Sequence, residues 1–329
     1  MRRREVIAFL GGAAAWPLGA RAQQANAIKR IGWVANAESD QDALTQSPSR
    51  AFSDALAQLG WKEGANLRLD YRTNLGGDTG RFRLAAAELV RAAPDVILCA
   101  GTVQTGIFQQ LTNTIPIVFV NVADPVASGF VASFARPGGN ITGFTSVEFS
   151  FAGKWLSLLR DIAPAITRVL VLYNATNSNW TGYRPTIEAA AASLRIDLTP
   201  TPVLAPADAE QAIEAFARER GSGMIVIPAA MITNRETLAA LAVRHRLPTI
   251  YPYNVYAESG GLISYGSDFI DLYRQAAAYV HRILNGEKPG DLPVQAPVKF
   301  ELVINLKAAK AIGLEIPYNV LILADRLIE

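Results

Sequence analysis

The chain has 329 residues, half of them hydrophobic, with 31 basic and 29 acidic side chains and a formal net charge of +2. That length suits two cores of about 150 residues each, and no lysine–arginine block follows Arg21, so charge gives no support for a nucleic-acid or anionic-membrane surface. The single cysteine, Cys99, excludes an internal disulfide, and the two histidines, His245 and His281, have neither a cysteine cluster nor HExxH spacing to make a zinc site.

The first segment reads MRRREVIAFLGGAAAWPLGARA. Arg2, Arg3 and Arg4 form a basic start, an apolar run follows from Val6 to Ala20, and Ala20-Arg21-Ala22 fits a small-x-small cleavage site. Gly11, Gly12 and Pro17 break the run, which falls short of the about 20 apolar residues a membrane span needs. Residues 1–22 therefore read as a secretory signal peptide, cleaved after Ala22, that delivers the mature chain to the periplasm. Arg3-Arg4-Glu5-Val6-Ile7 fits a twin-arginine signal, with an ordinary Sec signal as the alternative. Cleavage leaves 27 basic and 28 acidic side chains, a net charge near −1.

Short apolar runs then alternate with helical spacing, and they repeat. Arg30–Asn36 (RIGWVAN) matches Arg168–Asn174 (RVLVLYN). Asp95–Gly101 (DVILCAG) matches Gly223–Ala229 (GMIVIPA), and Ile115–Asn121 (IPIVFVN) matches Pro248–Asn254 (PTIYPYN). Apolar residues on both faces suit parallel strands buried between helices. Phe52, Leu56 and Leu59, then Phe82, Ala86 and Leu89, recur at i, i+4, i+7; Ile187, Ala190 and Leu194 mark a helix in the second half. Ile213 and Phe216 mark another there, as do Leu238, Leu241 and His245. Toward the end, GLISYGSD reads as a strand, Asp271–Leu284 as a helix, Val298–Ile304 as a strand and Lys307–Ile312 as a short helix. This tail is too short for a core of its own, so it packs back onto the earlier halves.

The fold expected is α/β, two doubly wound parallel-sheet lobes joined by a multi-segment hinge. Residues 28–143 with 268–292 form lobe 1, and 144–267 with 293–329 form lobe 2. Asn140–Ser150, Tyr265–Phe269 and Pro289–Pro297 are the crossings, with Gly143 and Gly266 as glycines able to absorb rotation.

In open parallel sheets ligands bind beyond the carboxyl ends of the strands. Those ends here carry Asn36, Thr102, Val103, Asn121, Asp124 and Pro125 in the first half, and Asn174, Asn177, Ala229, Tyr251 and Tyr253 in the second. Each taken singly also suits a turn or a core edge. Enzymatic signals are thin: there is no GxSxG elbow, no P-loop and no GxGxxG loop, and PGGNITG (Pro137–Gly143) has the wrong spacing for a phosphate loop. No cofactor or metal is expected, and Cys99 in DVILCAG reads as a buried hydrophobe.

Three segments carry a family resemblance: the start Arg2–Gln24, the run IPIVFVNVADPVASGFVASFARPGGNITG (Ile115–Gly143) and the run from Gly260 to Leu314 with GEKPGDLPVQAPVKFELVINLKAAKAIGL. Together they resemble the ABC-transporter substrate-binding family that includes tryptophan- and tyrosine-type binding proteins. The resemblance implies a type I periplasmic-binding-protein fold with the ligand in an interlobe cleft, and a membrane permease and an ATPase as partners. An exported, monomeric solute receptor follows, with an amino acid or aromatic compound as solute: Asp124 for an ammonium, Thr102 and neighbouring main-chain amides for a carboxylate, Tyr251 or Tyr253 for the side chain. Two departures leave the solute open. PAAMITNRE (Pro228–Glu236) stands where many relatives carry an aromatic-containing loop, and Asn174 is not followed by proline. An exported two-lobed enzyme and a ligand-sensing domain are the alternative readings.

Overall fold

The structure is a computed structural model that describes residues 28–35, 43–72, 78–146, 149–175, 179–228, 230 and 234–329. The expected signal peptide, with its twin-arginine motif, lies outside the described residues.

The first half forms β1 (Lys29–Val34), α1 (Ala43–Gln58), β2 (Leu67–Arg72), α2 (Thr79–Arg91), β3 (Val96–Ala100), α3 (Thr102–Leu111), β4 (Ile117–Val122) and β5 (Ile141–Thr145). All pairs are parallel, in the order β2-β1-β3-β4-β5. The period of two in each strand explains why the runs are apolar throughout. Val96, Leu98, Val118 and Val120 face one side, against Phe52 and Leu56 of α1. Ile97, Cys99, Ile117 and Phe119 face the other, against Phe82, Ala86 and Leu89 of α2 and Phe108 of α3. Cys99 is fully buried, and burial pushes its thiol up to about 12, so it serves as a core hydrophobe.

The second half continues with α4 (Ala152–Ile162), β6 (Arg168–Tyr173), α5 (Asn179–Leu194), β7 (Asp197–Pro202), α6 (Pro206–Phe216), β8 (Ser222–Val226), α7 (Arg235–Arg244), β9 (Thr249–Tyr251), α8 (Asn254–Glu258) and β10 (Ile263–Ser267). Its sheet contains β7-β6-β8-β9-β10, the same order as the first sheet. The sequence repeat thus pairs β1 with β6, β3 with β8 and β4 with β9.

After β10 the chain returns to the first lobe as α9 (Phe269–Leu284). Leu272, Tyr273, Ala276, Ala277 and Val280 join the cluster of Trp33, Phe52, Leu56, Val118 and Val120. At roughly 1.5–3 kcal/mol per large apolar side chain removed from water, this face anchors α9 firmly to lobe 1. The chain then crosses again, forming β11 (Phe300–Asn305), α10 (Leu306–Ile312), α11 (Tyr318–Leu321) and β12 (Arg326–Ile328), which extend the second sheet beyond β10.

Three details differ from expectation. β11 runs antiparallel to β10, with Ser267 opposite Phe300. The reason is topological: β10 ends at the hinge and β11 starts there. Second, Ile141–Thr145 pairs with β4 as a core strand, so the first crossing begins only at Ser146. Third, Gly143 and Gly266, expected as pivots, are sites of close backbone approach. A Cβ on Gly143 would overlap the Phe119 carbonyl oxygen, and one on Gly266 would overlap that of Pro252, so glycine is required there for close packing of chains.

The crossings lie side by side. Thr145 N–H donates to the Gln295 carbonyl (2.9 Å), and Gln295 N–H donates to that of Gly143 (3.0 Å). Ser267 Oγ donates to the Ser146 carbonyl at 3.1 Å, and Asp268 N–H to that of Lys299 at 3.1 Å. Asp268 caps α9 through Asp271 N–H and holds Lys299 Nζ at 2.8 Å.

Candidate functional site

With both sheets wound alike, the crevices to examine are those at the carboxyl ends of the strands. In lobe 1, β3 and β4 end side by side, with Ala100 opposite Val120 and Gly101 N–H donating to the Val120 carbonyl at 2.9 Å. Thr102 opens α3, is half-buried, and its Oγ1 accepts from Ala123 N–H at 3.3 Å. Val103, on the same turn, is 48% exposed.

Asn121 breaks the β4–β5 register between Val120 and Val122 and has a φ of +58°. A bulge of this kind re-aims a side chain out of the ladder, and asparagine tolerates the left-handed conformation. Asp124 follows, half-buried; its Oδ1 accepts from Ala127 N–H at 2.9 Å and its carbonyl from Ser128 N–H at 3.0 Å. Buried Pro125 closes the turn by accepting from Phe130 N–H at 2.9 Å. The turn role foreseen for Asp124 is thus present, and it occupies one carboxylate oxygen.

In lobe 2, Asn174 is half-buried at the end of β6. Asn179, at the start of α5 and buried, donates from Nδ2 to the Pro228 carbonyl at 2.9 Å, which ties α5 to the end of β8. Tyr253 is only 4% exposed, and burial pushes its phenol up to about 12. Tyr183 of α5 lies near it; burial, with Tyr253 adding to the effect, raises the Tyr183 phenol well above the usual range.

The lobes meet at Asn121. Its Oδ1 accepts from Tyr253 OH at 3.2 Å and also from Ser146 Oγ. The ring of Phe269, the first residue of α9, lies 5.9 Å from that of Tyr253. One strand-end asparagine of lobe 1, a hinge serine and a strand-end tyrosine of lobe 2 therefore share one network.

Tyr251 belongs elsewhere. It is 1% exposed, stacked on Tyr256 with centroids 5.0 Å apart, inside the core with Leu170, Met224 and Val226. Its expected contact with a solute is corrected to a core role, because its ring lies on the face of β9 packed against Tyr256 and the core. Asn36, Asn177 and Ala229 lie outside the described residues. Sequence reasoning missed Ser146, Ser267 and Phe269 as site residues. The strand-end rule could have flagged Ser146 and Ser267; nothing in the sequence marked Phe269.

The chemistry assembled is that of recognition: hydroxyls, amides, one carboxylate and aromatic rings. Among the described residues no group of three or more His, Cys, Asp or Glu side chains could hold a metal ion. No helix among them is long and apolar enough to cross a membrane.

The model of the ABC transporter substrate binding protein family matches residues 40–328. The chain belongs to that family. Its members are binding components of transporters, not enzymes, which sets the enzymatic alternative aside. The chain is similar to a tyrosine-binding protein of Clostridioides difficile (strain R20291), with 24% identity over 277 residues, covering 83% of this chain and 79% of the relative. Among solved structures it is similar to a conserved domain protein from Vibrio cholerae, with 28% identity and a TM-score of 0.81 over 91% of this chain and 99% of that one. It also resembles an ABC domain from Streptococcus pneumonia in complex with L-Trp, with 22% identity and a TM-score of 0.82 over the same shares. The two α/β lobes read from the sequence are the architecture these structures share.

Proposed function

We propose that this protein is the exported receptor of an ABC importer and captures an aromatic amino acid between its lobes. The observation that carries this reading is the Tyr253–Asn121 hydrogen bond, which joins the strand ends of opposite lobes at the place where a solute would be enclosed. A tyrosine-binding relative and a neighbour complexed with L-Trp support the choice of solute class.

In this reading Asp124 pairs with the solute ammonium through the oxygen not used by Ala127 N–H. Thr102 and the main-chain amides at Val103 take the carboxylate, in charge-assisted hydrogen bonds. Pro125 and Asn174 line the remaining walls, and Tyr253 faces the side chain. A solute touching both lobes favours the closed arrangement by its differential affinity for it. A membrane permease with its ATPase then reads closure, and the receptor works as a monomer in the periplasm after removal of residues 1–22.

Thermal unfolding of purified protein with L-tyrosine, L-tryptophan, sugars and organic acids tests the reading. An aromatic amino acid at 100 times its dissociation constant is expected to add about 2.7 kcal/mol of stability. Stabilisation by a sugar alone would contradict it.

A further inference from the structure

We infer that Asn121 makes the cleft select for a hydrogen-bond acceptor on the solute, a carboxylate, and that Tyr253 is the positioning residue that orients its amide. The inference rests on the cleft-binding reading above and names the chemistry of one of its contacts.

An asparagine side chain offers one oxygen with two lone pairs and one NH₂ with two donors. In Asn121 both lone pairs are used, one by Tyr253 OH at 3.2 Å and the other by Ser146 Oγ. Its Nδ2 has no partner among the described residues, and the residue is only half-buried. What Asn121 can offer a solute is therefore a pair of N–H donors. A carboxylate oxygen satisfies them, and a second donor would be repelled.

The orientation is fixed from two directions. Ser146 stands on the first crossing, where Ser267 Oγ holds its carbonyl at 3.1 Å. Tyr253 comes from the other lobe, packed against Phe269. Its phenol stays protonated at neutral pH, since burial holds it near 12, so it remains a donor. The φ of +58° turns Asn121 out of the β4 ladder, which frees its side chain to reach both hydroxyls.

The test is calorimetric, with L-tyrosine and L-tyrosinamide as probes, which differ in carboxylate against carboxamide. The wild-type protein is expected to prefer L-tyrosine at least tenfold. Asn121→Asp, which replaces the donors by a carboxylate oxygen, is expected to weaken L-tyrosine at least a hundredfold and L-tyrosinamide less than tenfold. Tyr253→Phe is expected to shrink the wild-type preference severalfold while leaving the melting transition cooperative. Equal losses for both probes in Asn121→Asp would overturn the inference, as would an unchanged preference in Tyr253→Phe. A wild-type protein that binds neither probe would contradict the proposed solute class instead. In that event the inference is decided by side-chain amide NMR of protein labelled with ¹⁵N-asparagine, without solute. Tyr253→Phe must shift the Asn121 resonances, identified by their loss in Asn121→Asp, and unshifted resonances overturn the orientation.

Discussion

Asp124 is a half-buried carboxylate with one oxygen committed to Ala127 N–H and the other without a partner among the described residues. Asp124→Ala is expected to weaken solute binding at least tenfold, about 1.4 kcal/mol, with only the small stability loss of a missing turn bond. Calorimetry alongside thermal unfolding separates these effects, and unchanged affinity would leave Asp124 as a turn former alone. Gly143 makes a different prediction. Its missing side chain lets β5 approach the Phe119 carbonyl, so Gly143→Ala forces the β5 edge strand away from β4. Urea unfolding is expected to show a loss of at least about 3 kcal/mol, at the upper end of overpacking costs. A smaller loss would mean that β5 can shift on β4.

The hinge-side end of α9 carries the prediction at the level of elements. Asp268 is nearly buried, and burial alone would raise its carboxyl; the Lys299 ammonium, the Asp271 N–H and Arg274 outweigh this and hold it below its ordinary 3.8. A depressed folded-state value means that the stabilisation is complete above the unfolded value and disappears as pH falls through the folded one. Melting temperatures from pH 7 down to pH 3 are expected to fall less steeply in Asp268→Asn than in wild type. A parallel decline would show that the Asp268–Lys299 pair adds nothing to folding. The same elements show where the sequence was legible. Val96–Cys99 and Ile117–Val120 were readable as strands because both faces are buried, so every residue is apolar. β2 (LRLDYR) and β7 (DLTPTP) were not, because edge strands are half-solvated and carry charges and prolines. β5 was hidden by its glycine and threonines, which read as a crossing. At the site, Asn121 and Tyr253 were visible as strand-end residues, but their mutual contact depends on how two lobes meet, which no local pattern encodes. Tyr251 misled for the opposite reason: its position near a strand end says nothing of the direction of its ring.

At the scale of the whole molecule, one winding is used twice, and three crossings join the copies. The repeat places two sets of strand ends opposite each other, and the return of α9 to lobe 1 forces the chain through the hinge twice more. Hydrogen bonds such as Gln295 N–H to the Gly143 carbonyl and Ser267 Oγ to the Ser146 carbonyl stitch the crossings into one band, about which the proposed closure turns. The central claim is that a solute is held by both lobes and draws them together. Solution X-ray scattering of the mature protein, with and without a saturating solute shown to bind tightly by calorimetry, tests it most directly. The account predicts a smaller radius of gyration with solute and an unchanged molecular mass; superimposable scattering curves would contradict it.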